Sequence, residues 1–174
     1  MSENQIVKLG LGRKFQTPSI FEDLTVFENL EISFPRGRDV VGALFFKRDK
    51  EVLDRADEVA SLVYLSEVLN KDAASLSHGQ KQWLEIGMLL MQEPKLMMLD
   101  EPVAGMTLNE RKQTAKLLNT ISQGRSVIVV EHDMNFVKEV AQTVTVLHQG
   151  AVLSEGQMAD VQNDPKVIEV YLGH

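Results

Sequence analysis

Two apolar runs end in charge. Leu96-Met97-Met98-Leu99 leads into Asp100-Glu101-Pro102, and Ser126-Val127-Ile128-Val129-Val130 leads into Glu131-His132-Asp133. A carboxylate at the end of an apolar strand is how phosphate-handling enzymes hold magnesium and poise a base. The same residues also suit plain solvation of a strand end, and a lone histidine such as His132 also serves as a surface or capping residue. A third element is Leu76-Ser77-His78-Gly79-Gln80. A serine ahead of Gly-Gln at a helix start leaves backbone N–H groups free at the positive end of the dipole, an arrangement that binds anions. Ser77 or Ser75 also makes an ordinary N-cap. Gly12-Arg13-Lys14-Phe15-Gln16 reads by itself as a strand end with a solvated basic pair.

The elements that must carry these residues follow from periodicity and punctuation. Ser2 to Gln5 has capping-box spacing, which predicts a short N-terminal helix. Thr25 and Glu28 repeat it ahead of a helix over Val26 to Ile32, and Phe34-Pro35-Arg36-Gly37 is a loop. From Arg48 to about Val63, apolar residues at Val52, Leu53, Ala56, Val59, Ala60 and Val63 follow a helical period. A further helix runs from His78 to about Gln92 and stops before Pro94. Thr107 and Glu110 open another helix, which Gly124 stops. With the two apolar runs as strands on either side, this is a βαβ unit in a parallel sheet, and right-handed crossover sets both acidic clusters on one edge. Val144 to Leu147, Gln149-Gly150 and Ala151 to Leu153 predict a hairpin. Short helices over Met158 to Gln162 and Pro165 to Leu172 close the chain.

The 174 residues suit one domain with a sizeable core, and 44% hydrophobic with 25% charged residues excludes wholesale disorder. A net charge of -7 argues against nucleic acid as a partner through a broad basic surface. Zero cysteines exclude disulfides, thiolate catalysis and zinc–cysteine sites. No apolar stretch approaches a membrane span of about 20 residues and no signal core follows the N-terminus, so the expectation is a soluble cytoplasmic protein.

Taken in order, the motifs resemble the nucleotide-binding subunit of an ABC transporter. Gln16 resembles the family's Q-loop glutamine, Leu76 to Gln80 its signature motif, and Lys95 to Asp100 its Walker B strand. Glu101 resembles the catalytic glutamate, Val103 to Thr107 stand at the D-loop, and His132 resembles the switch histidine. The D-loop departs from the commoner Ser-Ala-Leu-Asp. The tail Asn163-Asp164-Pro165-Lys166-Val167-Ile168-Glu169-Val170-Tyr171-Leu172-Gly173 is similar to the branch serving branched-chain amino acids and urea. Residues 77–87 and 101–106 look like the urea-type subunit. No Gly-x-x-x-x-Gly-Lys-Ser/Thr occurs in the sequence, so the chain reads as the C-terminal part of such a subunit, without the Walker A cradle and inactive alone.

The resemblance implies an α/β fold, the C-terminal part of an ABC-type P-loop NTPase. Residues 1–19 would be the Q-loop strand region and 20–93 a helical signature subdomain. Residues 94–174 would be the parallel-sheet core with its flanking helices and C-terminal hairpin. It implies ATP and Mg2+ as cofactors, with Asp100 and Gln16 on the metal, through water in the family's manner. Glu101 would be the base, Gln16 would place the attacking water, and His132 would meet the γ-phosphate. Ser77, His78, Gly79 and Gln80 would bind nucleotide held by a second ATP-binding subunit. The partners implied are that subunit and transmembrane permease subunits, at the inner face of the membrane. The function implied is import, of urea or short amides, with branched-chain amino acids as the alternative. A non-catalytic interaction module and a soluble ABC protein outside transport are the other readings. Loss of an upstream strand beside Ser126 to Val130 would leave a β-branched edge, through which the chain is expected to self-associate unless the hairpin of Val144 to Leu153 shifts against it to close the gap.

Overall fold

The computed structural model describes residues 9–14, 19–35 and 50–172. The chain divides into two compact units, Met1–Glu131 and His132–His174.

The first unit is built on three parallel strands in the order β1–β2–β3: Leu11–Lys14, Leu96–Asp100 and Ser126–Val130. Gly12 lies opposite Met97, and Asp100 opposite Val130. Lys14, Met97 and Leu99 are buried on one face. The helix over His78–Met91 packs against β1, and the other helices of this unit gather on it, with starts fixed by the side chains the sequence supplies. Thr25 caps α1 (Val26–Ser33) in a capping box with Glu28, and Ser77 caps α3 (His78–Met91) in one with Gln80. Between them, α2 (Lys50–Leu62) buries Val52, Ala56, Val59 and Ala60. α3 is the hub. Leu84, Ile86, Leu90 and Met91 are fully or almost fully buried, and Gly87 admits Leu30, Val59 and Val63 so closely that a side chain there would crowd them. Thr107 and Glu110 cap α4 (Leu108–Ile121), which buries Ala115, Leu117, Leu118 and Ile121. Trp83 Nε1 donates to Thr114 Oγ1 at 2.9 Å, fastening α3 to α4, and Tyr64 packs edge-on against Trp83.

The expected α/β fold with a parallel sheet is present. The expected capping box near Ser2 lies outside the described residues. Two 3-10 turns, Ser66–Val68 and Ala73–Ser75, have no sequence expectation behind them. β3 pairs with β2 alone among the described residues, and Met98, Ile128 and Val130 are 38%, 48% and 59% exposed.

The second unit holds a helix that periodicity alone does not pick out, α5 (Met134–Val140), started by Asp133, whose carboxylate accepts from the N–H groups of Asn135 and Phe136. β4 (Val144–His148) and β5 (Ala151–Gly156) form the expected hairpin around Gln149 and Gly150, both at positive φ. α6 (Met158–Gln162) and α7 (Pro165–Val167) follow, and the chain continues as a π-helical turn, Ile168–Leu172, with Tyr171 OH donating to the Leu147 carbonyl at 2.6 Å. No helix among the described residues is long and apolar enough to cross a membrane.

Candidate functional site

The three strands deliver Lys14, Asp100 and Glu131 to the carboxyl edge of one sheet. Asp100 is the last residue of β2, half-buried, with the Arg13 guanidinium 3.9 Å away. Glu101 then leaves the strand with φ 44°. A non-glycine residue in this region costs of order 1–3 kcal/mol and is found where the surroundings impose it. Its N–H is held by the Val130 carbonyl at 2.9 Å, so β3 fixes the turn that redirects the Glu101 side chain. Glu131 Oε1 accepts from Val103 N–H at 3.3 Å, gripping the loop just after Glu101. The carboxylate cluster is therefore partly divided: Glu131 shapes the loop and Asp133 caps α5, while Asp100 and Glu101 stand at the edge.

The start of α3 is a capping box in full. Gln80 N–H donates to Ser77 Oγ at 3.2 Å and Ser77 N–H to Gln80 Oε1 at 3.0 Å. The N–H groups of His78 and Gly79, in the first turn, are the ones left for an anion. His78 turns away from that axis. Its Nε2 donates to the Ala104 carbonyl at 3.0 Å, and its ring lies against Gly105, which holds φ 70°. The carboxylate of Glu110 abuts Gly79. The signature segment thus touches the loop after Glu101 and the cap of α4. Sequence reasoning missed this junction, because capping-box spacing places Glu110 only within its own helix.

The reading of Arg13-Lys14 as a solvated basic pair is corrected. Alternation along β1 turns Arg13 outward and Lys14 inward, where it is fully buried. Its Nζ lies 3.5 Å from Glu85 Oε2, with the Glu85 side chain 7% exposed on α3. Burial lowers the Lys14 pKa against the opposing pull of Glu85, Asp100 and Glu131. Burial likewise raises the Glu85 pKa against the pull of Lys14 and of the Ser19 N–H, which donates to Glu85 Oε1 at 3.2 Å. A glutamate four residues before Leu89, in a helix whose Leu84 and Ile86 are buried, was the available signal.

Gln16 lies outside the described residues. His132 opens the second compact unit. No group of three or more acidic or histidine side chains gathers to chelate a metal among the described residues. Magnesium does not need such a cage, since it is commonly held by one or two carboxylates together with phosphates and water. One carboxylate at Asp100, half-buried at the carboxyl end of β2 with Arg13 3.9 Å away, fits that role.

A parallel sheet with acidic strand ends and a capped, glycine-bearing helix N-terminus defines an α/β nucleotide-handling protein. The chain belongs to the ABC transporter family. The family model described as ABC transporter matches residues 2–104, and the one described as branched-chain amino acid ATP-binding cassette transporter matches residues 151–174. The probable branched-chain amino acid transport ATP-binding protein LivG of Archaeoglobus fulgidus is 32% identical over 176 residues, covering 98% of this chain and 68% of that protein. The high-affinity branched-chain amino acid transport ATP-binding protein BraF of Pseudomonas aeruginosa is 34% identical over 182 residues, covering 98% and 70%. Among solved structures, the ADP conformation of MJ1267, an ATP-binding cassette of an ABC transporter, superposes with a TM-score of 0.80 at 30% identity, covering 100% of this chain and 72% of that one. The LivG and BraF relatives carry the branched-chain amino acid description, the alternative to urea stated above.

Proposed function

We propose that this chain serves an ABC importer as an ATP-binding subunit whose Asp100 and Glu101 stand at the hydrolytic centre. The observation that carries this is the pair's position. Asp100 closes β2 at the open edge of the sheet, and Glu101 is swung out of the strand by its left-handed backbone. In this reading Asp100 meets the magnesium that accompanies ATP, and magnesium supplies charge neutralisation on the phosphates. Glu101 accepts a proton from the attacking water. Gln16 positions that water, and His132 approaches the γ-phosphate. Ser77 and Gly79 present the first-turn N–H groups of α3 to nucleotide held by a second subunit, with His78 and Gln80 shaping that turn. Residues 20–93 face permease subunits at the inner side of the membrane, while 1–19 and 94–174 carry the hydrolytic motifs.

Branched-chain amino acids are the solute favoured by the relatives' descriptions and by the match over residues 151–174. Urea or a short amide is the second reading, favoured by Ser77-His78-Gly79-Gln80-Lys81-Gln82-Trp83-Leu84-Glu85-Ile86-Gly87 and Glu101-Pro102-Val103-Ala104-Gly105-Met106. Because the sequence carries no Gly-x-x-x-x-Gly-Lys-Ser/Thr, the 174 residues by themselves turn over no appreciable ATP. The test is capture of the chain with membrane subunits, followed by ATP turnover in that complex with leucine or urea supplied through its binding protein. Stimulation by one solute assigns the substrate. A complex that forms and hydrolyses nothing leaves the non-catalytic module as the function.

A further inference from the structure

Among the described residues, Glu85 is the most buried carboxylate the proposed chemistry does not use. It sits on α3, two turns beyond the Ser77–Gly79 start, and its two oxygens face different partners. Oε2 lies 3.5 Å from Lys14 Nζ at the end of β1, and Oε1 accepts from Ser19 N–H at 3.2 Å. Lys14 and Ser19 flank Gln16 in the sequence. One carboxylate on the signature helix therefore holds the chain on both sides of the candidate water-positioning glutamine.

Stability alone does not explain the arrangement. An ion pair taken out of water is often matched or bettered by apolar side chains of similar size. Leucine at position 85 and methionine at 14 would fill this interior. A glutamate adds an acceptor aimed at one backbone N–H and a charge aimed at one ammonium, so what it adds is position. We propose that Glu85 is a positioning residue that ties α3 to Lys14 and Ser19, the described residues on either side of Gln16 in the sequence, so that nucleotide contact at Ser77 and Gly79 is felt at Lys14 and Ser19. The tie rests on the ATP-binding reading above for its catalytic meaning. Its geometry does not.

The experiment compares two double variants. Lys14→Met with Glu85→Leu removes the charges and the acceptor. Lys14→Met with Glu85→Gln removes the charges and keeps an acceptor for Ser19 N–H. Amide exchange in the chain itself is expected to rise about 100-fold at Ser19 in the leucine variant and to stay near wild type in the glutamine variant, while both keep cooperative unfolding. In the transport complex, kcat is expected to fall at least about tenfold in the leucine variant with KM for ATP unchanged, and to recover in the glutamine variant. Equal Ser19 protection in both variants, or equal kcat in both, would overturn the proposal. Failure of either variant to fold would also overturn it, since the pair would then be structural. A wild-type complex without ATP turnover would overturn the functional reading and with it the catalytic role, whatever the exchange shows.

Discussion

Replacing Gly79 by alanine is the sharpest test of how the start of α3 is built. An added Cβ would collide with the Glu110 carboxylate. That carboxylate is engaged, with Oε2 accepting from Thr107 N–H and from Thr107 Oγ1, each at 2.8 Å. To make room, Glu110 must swing away and give up half of the α4 capping box. The site is exposed, so the loss is at the low end for a cap, about 0.5–1 kcal/mol. Alanine offsets this by up to about 1 kcal/mol of helix propensity, less in a first turn. Gly79→Ala alone should therefore change stability little. In a Glu110→Ala background the collision is gone, and the same substitution should stabilise by about 0.5–1 kcal/mol. The coupling between the two positions is then about 0.5–1 kcal/mol. Urea unfolding followed by Trp83 emission measures it directly, because the single tryptophan lies on α3 and is buried. If Gly79→Ala stabilises equally in both backgrounds, Glu110 does not stand beside Gly79 and the junction described above is wrong.

In a subunit that also carries the Gly-x-x-x-x-Gly-Lys-Ser/Thr loop, Glu101→Gln should abolish hydrolysis while leaving ATP binding nearly intact. Retained turnover would remove Glu101 from the role of base. The purified 174-residue chain should release no phosphate above its own Glu101→Gln control. The Lys14–Glu85 pair has a pH signature. Glu85, raised by burial, contributes stability below the ordinary carboxylate value that is lost as pH rises through its folded pKa. Lys14, lowered by burial, contributes stability above the ordinary lysine value that is lost as pH falls through its own. Between about 4.3 and 10.4, the values of the free groups, wild type carries both costs. The gain in urea midpoint of Lys14→Met with Glu85→Leu over wild type should thus peak in mid-range and shrink toward pH 4 and pH 10. A gain flat with pH would contradict the assigned shifts. Ile128→Lys with Val130→Lys should reduce self-association through the β3 edge, read by light scattering across a concentration series. Unchanged scattering would exclude that edge as the contact.

Much of this protein is written locally. Thr25/Glu28, Ser77/Gln80 and Thr107/Glu110 each start a helix through bonds three residues apart, and spacing placed the first and third of these starts at the right residue. β2 and β3 are short apolar runs whose charged ends mark the functional edge, and the order of the motifs was enough to indicate the family. The tertiary structure decided whatever depends on residues far apart in the chain. Lys14 reads as solvated until β1 alternation and α3 enclose it with Glu85, 71 positions later. Glu110 reads as a cap for its own helix until the packing of α3 on α4 sets it against Gly79. Glu101 is marked in the sequence as a candidate base, but its left-handed backbone is set only when β3, through the Val130 carbonyl, fixes the turn. Helix caps and strand pattern are short-range and visible in sequence. Burial, charge pairing and backbone strain arise only when separate elements meet.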